Sequence, residues 1–170
     1  MIELQRADAS ALPFILEAEA AARADGFVTG WSEARHLRAL AAPDTAYFLV
    51  MAGGGTTPVG YAIVCGLDPE PASVELKRLV IVETGRGHGR AALRKIMAMA
   101  FDEWRAHRLW LDAFVDNRRA RHLYLAEGFV EEGMMRESSR RDDGFASLVL
   151  MSILEHEYRQ LEISKNRDMA

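Results

Sequence analysis

The sequence predicts a single domain built around one mixed α/β sheet. Its 170 residues are enough for one domain with a sizeable core, and 49% hydrophobic with 27% charged residues is the balance of a soluble globular protein. Segments with strand-like patterns, several of them joined by tight turns, alternate with segments of helical periodicity. This order is typical of antiparallel strands with helices between them.

The N-terminal quarter is predicted to contain one strand and two helices. Residues 2–6 alternate apolar and polar side chains, as a half-buried strand does. Residues 10–24 have helical periodicity, and Ser10 is placed to cap that helix. A second helix over residues 32–40 begins at Ser32, whose hydroxyl suits the free N–H groups at a helix start.

Three strands are predicted next, at residues 46–51, 59–67 and 73–82. A glycine-rich segment between the first two is typical of a hairpin loop rather than a domain linker. In the third strand the alternation of apolar and charged residues stops near Arg78, and four apolar residues follow. That change indicates either burial on both faces beyond Leu79 or a bulge near Arg78.

The C-terminal half continues the alternation of helices and strands. Five further elements are predicted: a helix at residues 89–104, a strand at 109–115, a short helix at 117–127, and two strands at 129–136 and 145–154. Residues 1–160 are therefore assigned to one domain, and the polar residues 161–170 to a C-terminal tail.

A glycine-rich turn between a strand and a helix is the most informative feature of the chain. It comes after an apolar strand end and comprises Arg86, Gly87, His88, Gly89, Arg90 and Ala91. The first N–H groups of a helix lack partners and carry partial positive charge, so such a turn binds anions. The two glycines let the backbone approach a ligand closely, and the two arginines suit phosphate oxygens. The turn is predicted to hold a pyrophosphate, with His88 contributing its backbone.

Two nucleotide-binding motifs are the alternatives for this turn. A P-loop is excluded because no Gly-Lys-Ser/Thr ends the loop. The spacing Gly87-x-Gly89-x-x-Ala92 matches the loose dinucleotide fingerprint, with Asp112 as the acidic residue after the next strand. That fingerprint belongs in the first turn of a βαβ series, whereas here it lies in the middle of the chain. A dinucleotide-binding oxidoreductase stays as an alternative.

Two blocks of the sequence resemble the GNAT superfamily of N-acetyltransferases. The first, Arg86-x-x-Gly89-x-Ala91 after a strand, is similar to its acetyl-CoA motif. The second, Asn117-x-x-Ala120-x-x-Leu123-Tyr124-x-x-x-Gly128-Phe129, is similar to a later helix and strand start, in the family's order and separation. The ending from Glu132 to Tyr158 resembles the branch that holds ribosomal-protein N-terminal and spermidine acetyltransferases.

The resemblance implies both a fold and a reaction. The fold is a splayed, mostly antiparallel sheet of about seven strands flanked by about four helices. The reaction moves an acetyl group from acetyl-CoA to a primary amine by direct attack in a ternary complex, with coenzyme A as the product. A non-catalytic acyl-CoA-binding or sensor domain on the same fold is the alternative from another class.

Two residues stand at the family's catalytic positions. Tyr124 corresponds to the general acid that protonates the leaving thiolate, and a phenol is still protonated at neutral pH. Its alternative is a core tyrosine on an amphipathic helix. Glu75, six residues before Ile81, resembles a strand glutamate that serves some members as base through water. Its alternative is a strand carboxylate paired with Lys77 or Arg78.

The resemblance also implies cofactor contacts outside the turn. In the family the sheet splays beside the strand before the turn, so the pantetheine arm pairs with exposed backbone groups and a main-chain N–H polarises the acetyl carbonyl. The residues concerned are Leu79, Val80, Ile81 and Val82. Ordinary sheet pairing is the alternative for these four. Asn117 is a helix N-cap by its position, and the family adds a cofactor contact.

The acceptor is the least defined part of the prediction. Its end of the site is expected between Phe27 to Trp31 and the loop Ser138 to Phe145, with Phe27, Trp31 and Glu75 as candidate contacts. Trp31 is either an aromatic wall for a substrate chain or a surface cap on the second helix. Acidic residues near the site favour a polyamine, with candidates Glu33, Glu75, Asp142 and Asp143. The Arg140-Arg141 pair favours an acceptor with a carboxylate or phosphate, and peptide N-termini and small amines stay open.

Composition bounds the remaining partners. With 21 Lys and Arg against 25 Asp and Glu, the net charge of −4 gives no general affinity for nucleic acid. No apolar run approaches the roughly 20 residues of a membrane helix, so no membrane partner is predicted. Cys65 is the single cysteine, which excludes an intramolecular disulfide and fits a cytoplasmic protein. The five histidines share no ligand spacing, so no metal site is expected. Strand edges in the C-terminal half make a homodimer conceivable.

Overall fold

A computed structural model of the chain describes residues 1–69 and 71–168, which form one seven-stranded sheet covered by helices. The strands are β1 (Ile2–Arg6), β2 (Thr45–Ala52), β3 (Pro58–Cys65), β4 (Ser73–Ile81), β5 (Arg108–Phe114), β6 (Val130–Arg141) and β7 (Gly144–Leu154). The α-helices are α1 (Leu12–Ala24), α2 (Glu33–Ala41), α3 (His88–Ala98), α4 (Arg118–Ala126) and α5 (Glu155–Asp168). The strand order is β1-β2-β3-β4-β5-β7-β6, and only β4 and β5 run parallel. The predicted mixed, mostly antiparallel sheet is confirmed.

Helix α5 differs from the predicted ending of the chain. The predicted boundary at residue 160 falls inside this helix, which continues to Asp168. Tyr158 is 6% exposed and stacks on Phe101 at 4.8 Å between ring centroids, and Leu161 packs against the same core. Burial of these two side chains holds the helix to the domain. The described residues therefore contain five α-helices, where about four were expected.

The two N-terminal helices begin with different caps. The segment leading into α1 starts as a 3-10 turn at Ala9–Ala11 and is capped by Asp8, whose Oδ1 accepts from the Ser10 N–H at 2.8 Å. The prediction of Ser10 as this cap is wrong, because the Ser10 hydroxyl itself donates to Asp8 Oδ1 at 2.6 Å, and α1 begins after Ala11 with no side-chain cap. Ser32 caps α2 as predicted, accepting from the Arg35 N–H at 3.3 Å.

A bulge in β4 decides which face of the sheet receives Arg78. Leu76 lies opposite Val64, but Arg78 lies opposite the adjacent Ile63, so the two β4 residues face opposite sides of the sheet. Leu76 joins the core under α3, whereas Arg78 turns toward the side covered by α1 and α2. Of the two interpretations of the broken alternation, the bulge near Arg78 is confirmed.

Strands β4 and β5 separate soon after they pair. Their parallel ladder runs only from Ser73 opposite Arg108 to Glu75 opposite Trp110. Beyond that point β4 stays paired with β3 alone, and β5 with β7 alone. The sheet therefore opens into a fork between its two halves, which is the splay that the resemblance implies.

The helices cover both faces of this forked sheet. Helix α3 and α5 close over one core, and α1 and α2 over the other. Helix α3 continues through a π-helical segment, Met99–Glu103, which brings its end close to the predicted Trp104. None of the helices in the described ranges is both long and apolar enough to cross a membrane.

A close approach of two strands at Gly60 gives a test of the fold. A Cβ at this position would lie 2.3 Å from the Val80 carbonyl oxygen, a backbone atom that cannot move alone. We expect Gly60→Ala to lower the free energy of unfolding by about 3 kcal/mol, measured by urea denaturation. The control is Gly133→Ala, where a Cβ meets nothing within 4 Å. Equal stability of the two variants would contradict the β3–β4 register.

Candidate active site

A cleft of about 800 Å³ opens at the fork between β4 and β5. Its walls come from the loop between α1 and α2, the outer half of β4, the start of α3, helix α4 and the end of β6. Segments far apart in the sequence meet here because the two halves of the sheet diverge. The cleft brings together most of the predicted site residues.

Unpaired backbone groups of β4 face into this cleft. The Val82 N–H donates to the Val59 carbonyl at 2.9 Å, so even-numbered residues here direct their backbone groups toward β3. Because direction alternates along a strand, the N–H and C=O groups of Leu79 and Ile81 point to the open side. Val80 lines the cleft as well, but its carbonyl points at Gly60. Val82 is not among the described lining residues, which leaves Leu79 and Ile81 as the available backbone partners.

The glycine-rich turn forms a concave start to α3. Gly87 precedes the helix with a φ of 76°, a left-handed conformation that other residues adopt only under strain. Because Gly87 is the N-cap residue, no side chain there bonds the first N–H groups of the helix. The first intrahelical bond runs from Ala91 N–H to Gly87 O, so the N–H groups before it are available. The buried His88 Nδ1 has no hydrogen-bond partner within the described part of the chain. Gly87, His88, Gly89 and Arg90 all line the cleft.

The two arginines of the turn are placed differently from the prediction. Arg86 is exposed, lies 3.6 Å from the Glu83 carboxylate and does not line the described cleft. Arg90 lines the cleft, but its Nε is 3.1 Å from the carboxylate of Glu127. Glu127 is buried, and its carboxylate also accepts hydrogen bonds from Nε and Nη2 of Arg94, at 2.6 and 3.0 Å. Glu127 therefore partly neutralises the charge of Arg90. Arg86 belongs to the turn, but its side chain lies outside the described cleft lining.

Helix α4 supplies Tyr124 and Asn117 to the cleft. Asn117 caps the helix, its Oδ1 accepting from the Ala120 N–H at 3.1 Å, and it also lines the cleft. Tyr124 lines the cleft and packs on Phe129 at 5.8 Å between ring centroids. Burial raises the pKa of Tyr124 to about 12, and the nearby charge of Asp112 acts in the same direction. The phenol is protonated throughout the physiological range.

Glu75 is not brought together with the other predicted site residues. It is the last residue of the β4–β5 ladder, so it lies where the two strands are still joined rather than in the fork. Its carboxylate accepts from Lys77 Nζ at 2.9 Å, and it is absent from the described cleft lining. The role of Glu75 as a base that acts through water stays a prediction. Its placement favours the alternative, a strand carboxylate paired with Lys77.

The far end of the cleft is where the acceptor was predicted. Phe27 and Trp31 line it from the α1–α2 loop, and Ser138 to Arg140 line it from β6. The two segments touch, with Thr29 Oγ1 3.3 Å from Ser139 Oγ. Trp31 lies under the guanidinium groups of Arg35 and Arg78, at 4.0 and 4.7 Å from the ring centroid. Trp31 is therefore part of a cleft wall.

A buried carboxylate behind this wall was missed by the sequence analysis. Glu19 of α1 is 2% exposed and accepts from the hydroxyl of Tyr61 at 2.9 Å and from the backbone N–H of Trp31. Its Oε2 also lies 2.6 Å from Arg78 Nη1 and 2.9 Å from His36 Nε2. The available signal was its spacing of four residues from Ile15, which puts both side chains on the buried face of α1.

His36 completes this buried network as a neutral group. Its ring is fully buried, and burial lowers the pKa of His36 while the charge of Glu19 acts in the opposite direction. The Nε2–H donates to Glu19, which leaves Nδ1 to accept from the Tyr47 hydroxyl at 3.0 Å. One neutral tautomer satisfies both hydrogen bonds. Among the described residues, no three His, Cys, Asp or Glu side chains cluster as metal ligands would.

A profile of the Acetyltransferase (GNAT) family matches residues 12–129, more than half of the chain. The chain belongs to the acetyltransferase (GNAT) family. The matched range contains both motif blocks, the outer half of β4 and Tyr124. The family predicted from those blocks is confirmed.

Relatives within this family include polyamine acetyltransferases. The chain is 30% identical over 87 residues to spermidine N(1)-acetyltransferase from Vibrio cholerae, a match that spans 51% of this chain and about half (50%) of that curated relative. The crystal structure of spermidine N-acetyltransferase from Vibrio cholerae in complex with CoA and spermine has a TM-score of 0.79 at 21% identity, covering 92% of this chain and 97% of that chain. A dodecameric structure of that enzyme has a TM-score of 0.77 at 20% identity, covering 92% and 95%. The two structures show that this GNAT chain shares their fold.

The protonation state of His36 gives a test of the buried network. Because its pKa is lowered in the folded state and near 6.5 when unfolded, unfolding takes up a proton below pH 6.5. The free energy of unfolding is therefore expected to fall as the pH drops below about 6.5. At pH 6.5, nitrogen NMR of the ring is expected to show one protonated and one unprotonated nitrogen. A doubly protonated His36 ring at this pH would contradict the network.

Proposed function

We propose that this protein transfers an acetyl group from acetyl-CoA to the nitrogen of a primary amine. The observation that carries the proposal is the convergence of three features in one cleft. These are the unpaired backbone groups of Leu79 and Ile81, the cradle at the start of α3, and the protonated Tyr124. Membership of the GNAT family supports the same reaction.

The residues of the cleft fit acetyl-CoA. A pyrophosphate suits the free N–H groups at the start of α3, where the Gly87 turn leaves them exposed. His88 Nδ1 adds a buried nitrogen that lacks a partner within the described chain. The amide-containing pantetheine arm suits the open edge of β4, which offers a donor and an acceptor at every second residue. The CoA complex of a structural neighbour supports this assignment.

Acetyl-CoA supplies a thioester carbon that an amine can attack and a sulfur that leaves. An N–H of Leu79 or Ile81 donates a hydrogen bond to the carbonyl oxygen, where negative charge develops. Tyr124 donates its proton to the sulfur as the C–S bond breaks. Its high pKa keeps that proton in place until charge develops on the sulfur.

The amine must lose a proton before or during attack. We propose that it reacts as the neutral amine rather than through Glu75, which lies at the closed end of the fork. The positive charge of Arg35 at the acceptor end disfavours the ammonium form and so lowers the amine's pKa. Solvent accepts the proton that the amine releases.

Self-association is a second part of the proposal. Strand β6 forms an edge of the sheet, and it carries the exposed side chains of Val130 and Met134. An unpaired edge with apolar side chains is a surface on which copies of a chain associate. The dodecamer described for a structural neighbour supports assembly of this kind.

Replacement of Tyr124 tests the reaction. We expect Tyr124→Phe to lower kcat by about 100-fold, because the sulfur then leaves without a proton donor. The KM for acetyl-CoA is expected to change little. The measurement is CoA thiol release with a panel of primary amines. Tyr158→Phe is the matched control, since the Tyr158 hydroxyl donates to Asp102 at 3.2 Å and Tyr158 is outside the described cleft lining. A normal kcat in Tyr124→Phe would remove this residue as the acid.

Blocking the cradle tests cofactor binding. A side chain at Gly89 points toward Ile81 and Leu123 in the cleft, so Gly89→Trp is expected to abolish acetyl-CoA binding by filling the space. Calorimetric titration measures the binding of acetyl-CoA, with NADH as the control ligand and Gly133→Trp as the control variant. Unaltered acetyl-CoA binding would overturn the cradle. Binding of NADH in place of acetyl-CoA would favour the dinucleotide alternative, and binding without turnover on any amine would favour the sensor alternative.

A further inference from the structure

We propose that the acceptor amine carries an anionic group, a carboxylate or a phosphate, that is held by Arg35 and Arg140. The inference rests on the proposed N-acetyltransferase function and names the class of its acceptor. It departs from the polyamines named for the relatives, because the acceptor end of this cleft has the opposite charge from the one that a polyamine requires.

The acidic residues that would hold a polyamine are absent from the described cleft lining. These are the four candidates from the sequence, Glu33, Glu75, Asp142 and Asp143. Two of them are also neutralised elsewhere. Glu75 pairs with Lys77 at 2.9 Å, and Asp142 pairs with Arg23 Nη2 at 2.8 Å. A site that binds ammonium groups needs carboxylates that face the substrate. These four carboxylates are outside the described lining and do not meet that need.

Basic side chains surround the acceptor end instead. The basic residues that line the cleft there are Arg35, Lys77, Arg78 and Arg140. The carboxylates of the whole cleft lining are Asp25, Glu83 and Asp112, of which Glu83 lies 3.6 Å from Arg86. Lys77 and Arg78 are balanced by Glu75 and by the buried Glu19. Within the described residues, Arg35 and Arg140 have no carboxylate within ion-pair distance. Two guanidinium groups therefore remain for an anion.

Both of these arginines are held by aromatic rings. The Arg35 guanidinium lies 4.0 Å from the centroid of the Trp31 ring, and Arg140 lies 4.6 Å from that of Phe145. Stacking fixes the plane of a guanidinium and leaves its N–H edge free for a carboxylate or phosphate. Arg78 also lies over the Trp31 ring, so the attraction of this ring for cations is already used. An ammonium of a polyamine gains little from Trp31.

The neighbouring arginine shows that this arrangement is specific to Arg140. Arg141 forms two hydrogen bonds to the carboxylate of Asp116, at 2.8 and 2.9 Å, and it does not line the described cleft. Only Arg140 of the adjacent pair is turned toward the acceptor. Alternation along β6 explains the difference, because successive side chains point to opposite faces of a strand.

Acceptor preference tests this inference directly. The measurement is kcat/KM for four amines of similar length, which are n-butylamine, putrescine, γ-aminobutyrate and O-phosphoethanolamine, and for the longer polyamine spermidine. We expect kcat/KM for γ-aminobutyrate or O-phosphoethanolamine to exceed that for n-butylamine by about tenfold, because hydrogen bonds between charged groups contribute free energy of this size. Putrescine and spermidine are expected to fall below n-butylamine. Whichever anionic amine leads identifies the source of the anion as carboxylate or phosphate.

Charge variants locate the site within the cleft. Arg35→Gln is expected to remove the tenfold preference while the KM for acetyl-CoA stays unchanged, and Arg35→Glu to reverse the preference toward putrescine. Arg140→Gln is an independent variant with the same expected direction. The control is Arg38→Gln, an exposed arginine of the same helix that lies outside the described lining. Retention of the full preference in both Arg35→Gln and Arg140→Gln would overturn the assignment of these residues.

Two outcomes separate failure of this inference from failure of the function. Turnover with spermidine or putrescine above the anionic amines would overturn the anionic acceptor and leave the N-acetyltransferase in place. Absence of thiol release with every amine, in protein that binds acetyl-CoA, would overturn both.

Discussion

The early end of the β4–β5 ladder is the constraint on which the rest of the structure depends. Parallel pairing stops at Glu75 and Trp110, yet both strands continue for several residues with their outer partners. The separation creates a cleft within the sheet and leaves the backbone groups of Leu79 and Ile81 without a hydrogen-bond partner among the described residues. Buried backbone groups need hydrogen bonds, so a fork of this kind is stable when a ligand or water completes it. The same separation leaves Glu75 out of the described cleft lining, because Glu75 lies where the two strands are still paired.

Two buried carboxylates hold the walls of the fork in place. Glu19 joins α1 to Arg78 of β4 and to the backbone of Trp31, and Glu127 joins the end of α4 to Arg90 and Arg94 of α3. Removing one partner of such a pair leaves an uncompensated charge in the interior, at a cost of about 3–5 kcal/mol. Each carboxylate also neutralises one arginine that lines the cleft. The charge that a substrate meets is therefore set by residues that it does not touch.

The sequence alone predicted the strands and the family, because both depend on local patterns. Hydrophobic periodicity placed all seven strands, and the glycine turn and the Asn117 block indicated the family. Misplaced residues were those whose role depends on long-range partners. Nothing local shows that Glu127 will bind Arg90 from 37 positions away, or that Glu19 will lie behind Arg78. The C-terminal helix was missed because its sequence is mostly polar, with few apolar contacts such as that of Tyr158 to mark it.

Hydrogen exchange of the β4 amides tests the central claim, that acetyl-CoA completes the open edge of the fork. The N–H groups of Leu79 and Ile81 face the cleft, whereas Val80 lies between them with its backbone directed to β3 and serves as an internal reference. We expect saturating acetyl-CoA to slow exchange at Leu79 and Ile81 by at least tenfold and to leave Val80 unchanged, measured residue by residue by NMR. Equal exchange rates at Leu79 and Ile81 with and without bound acetyl-CoA would contradict the claim.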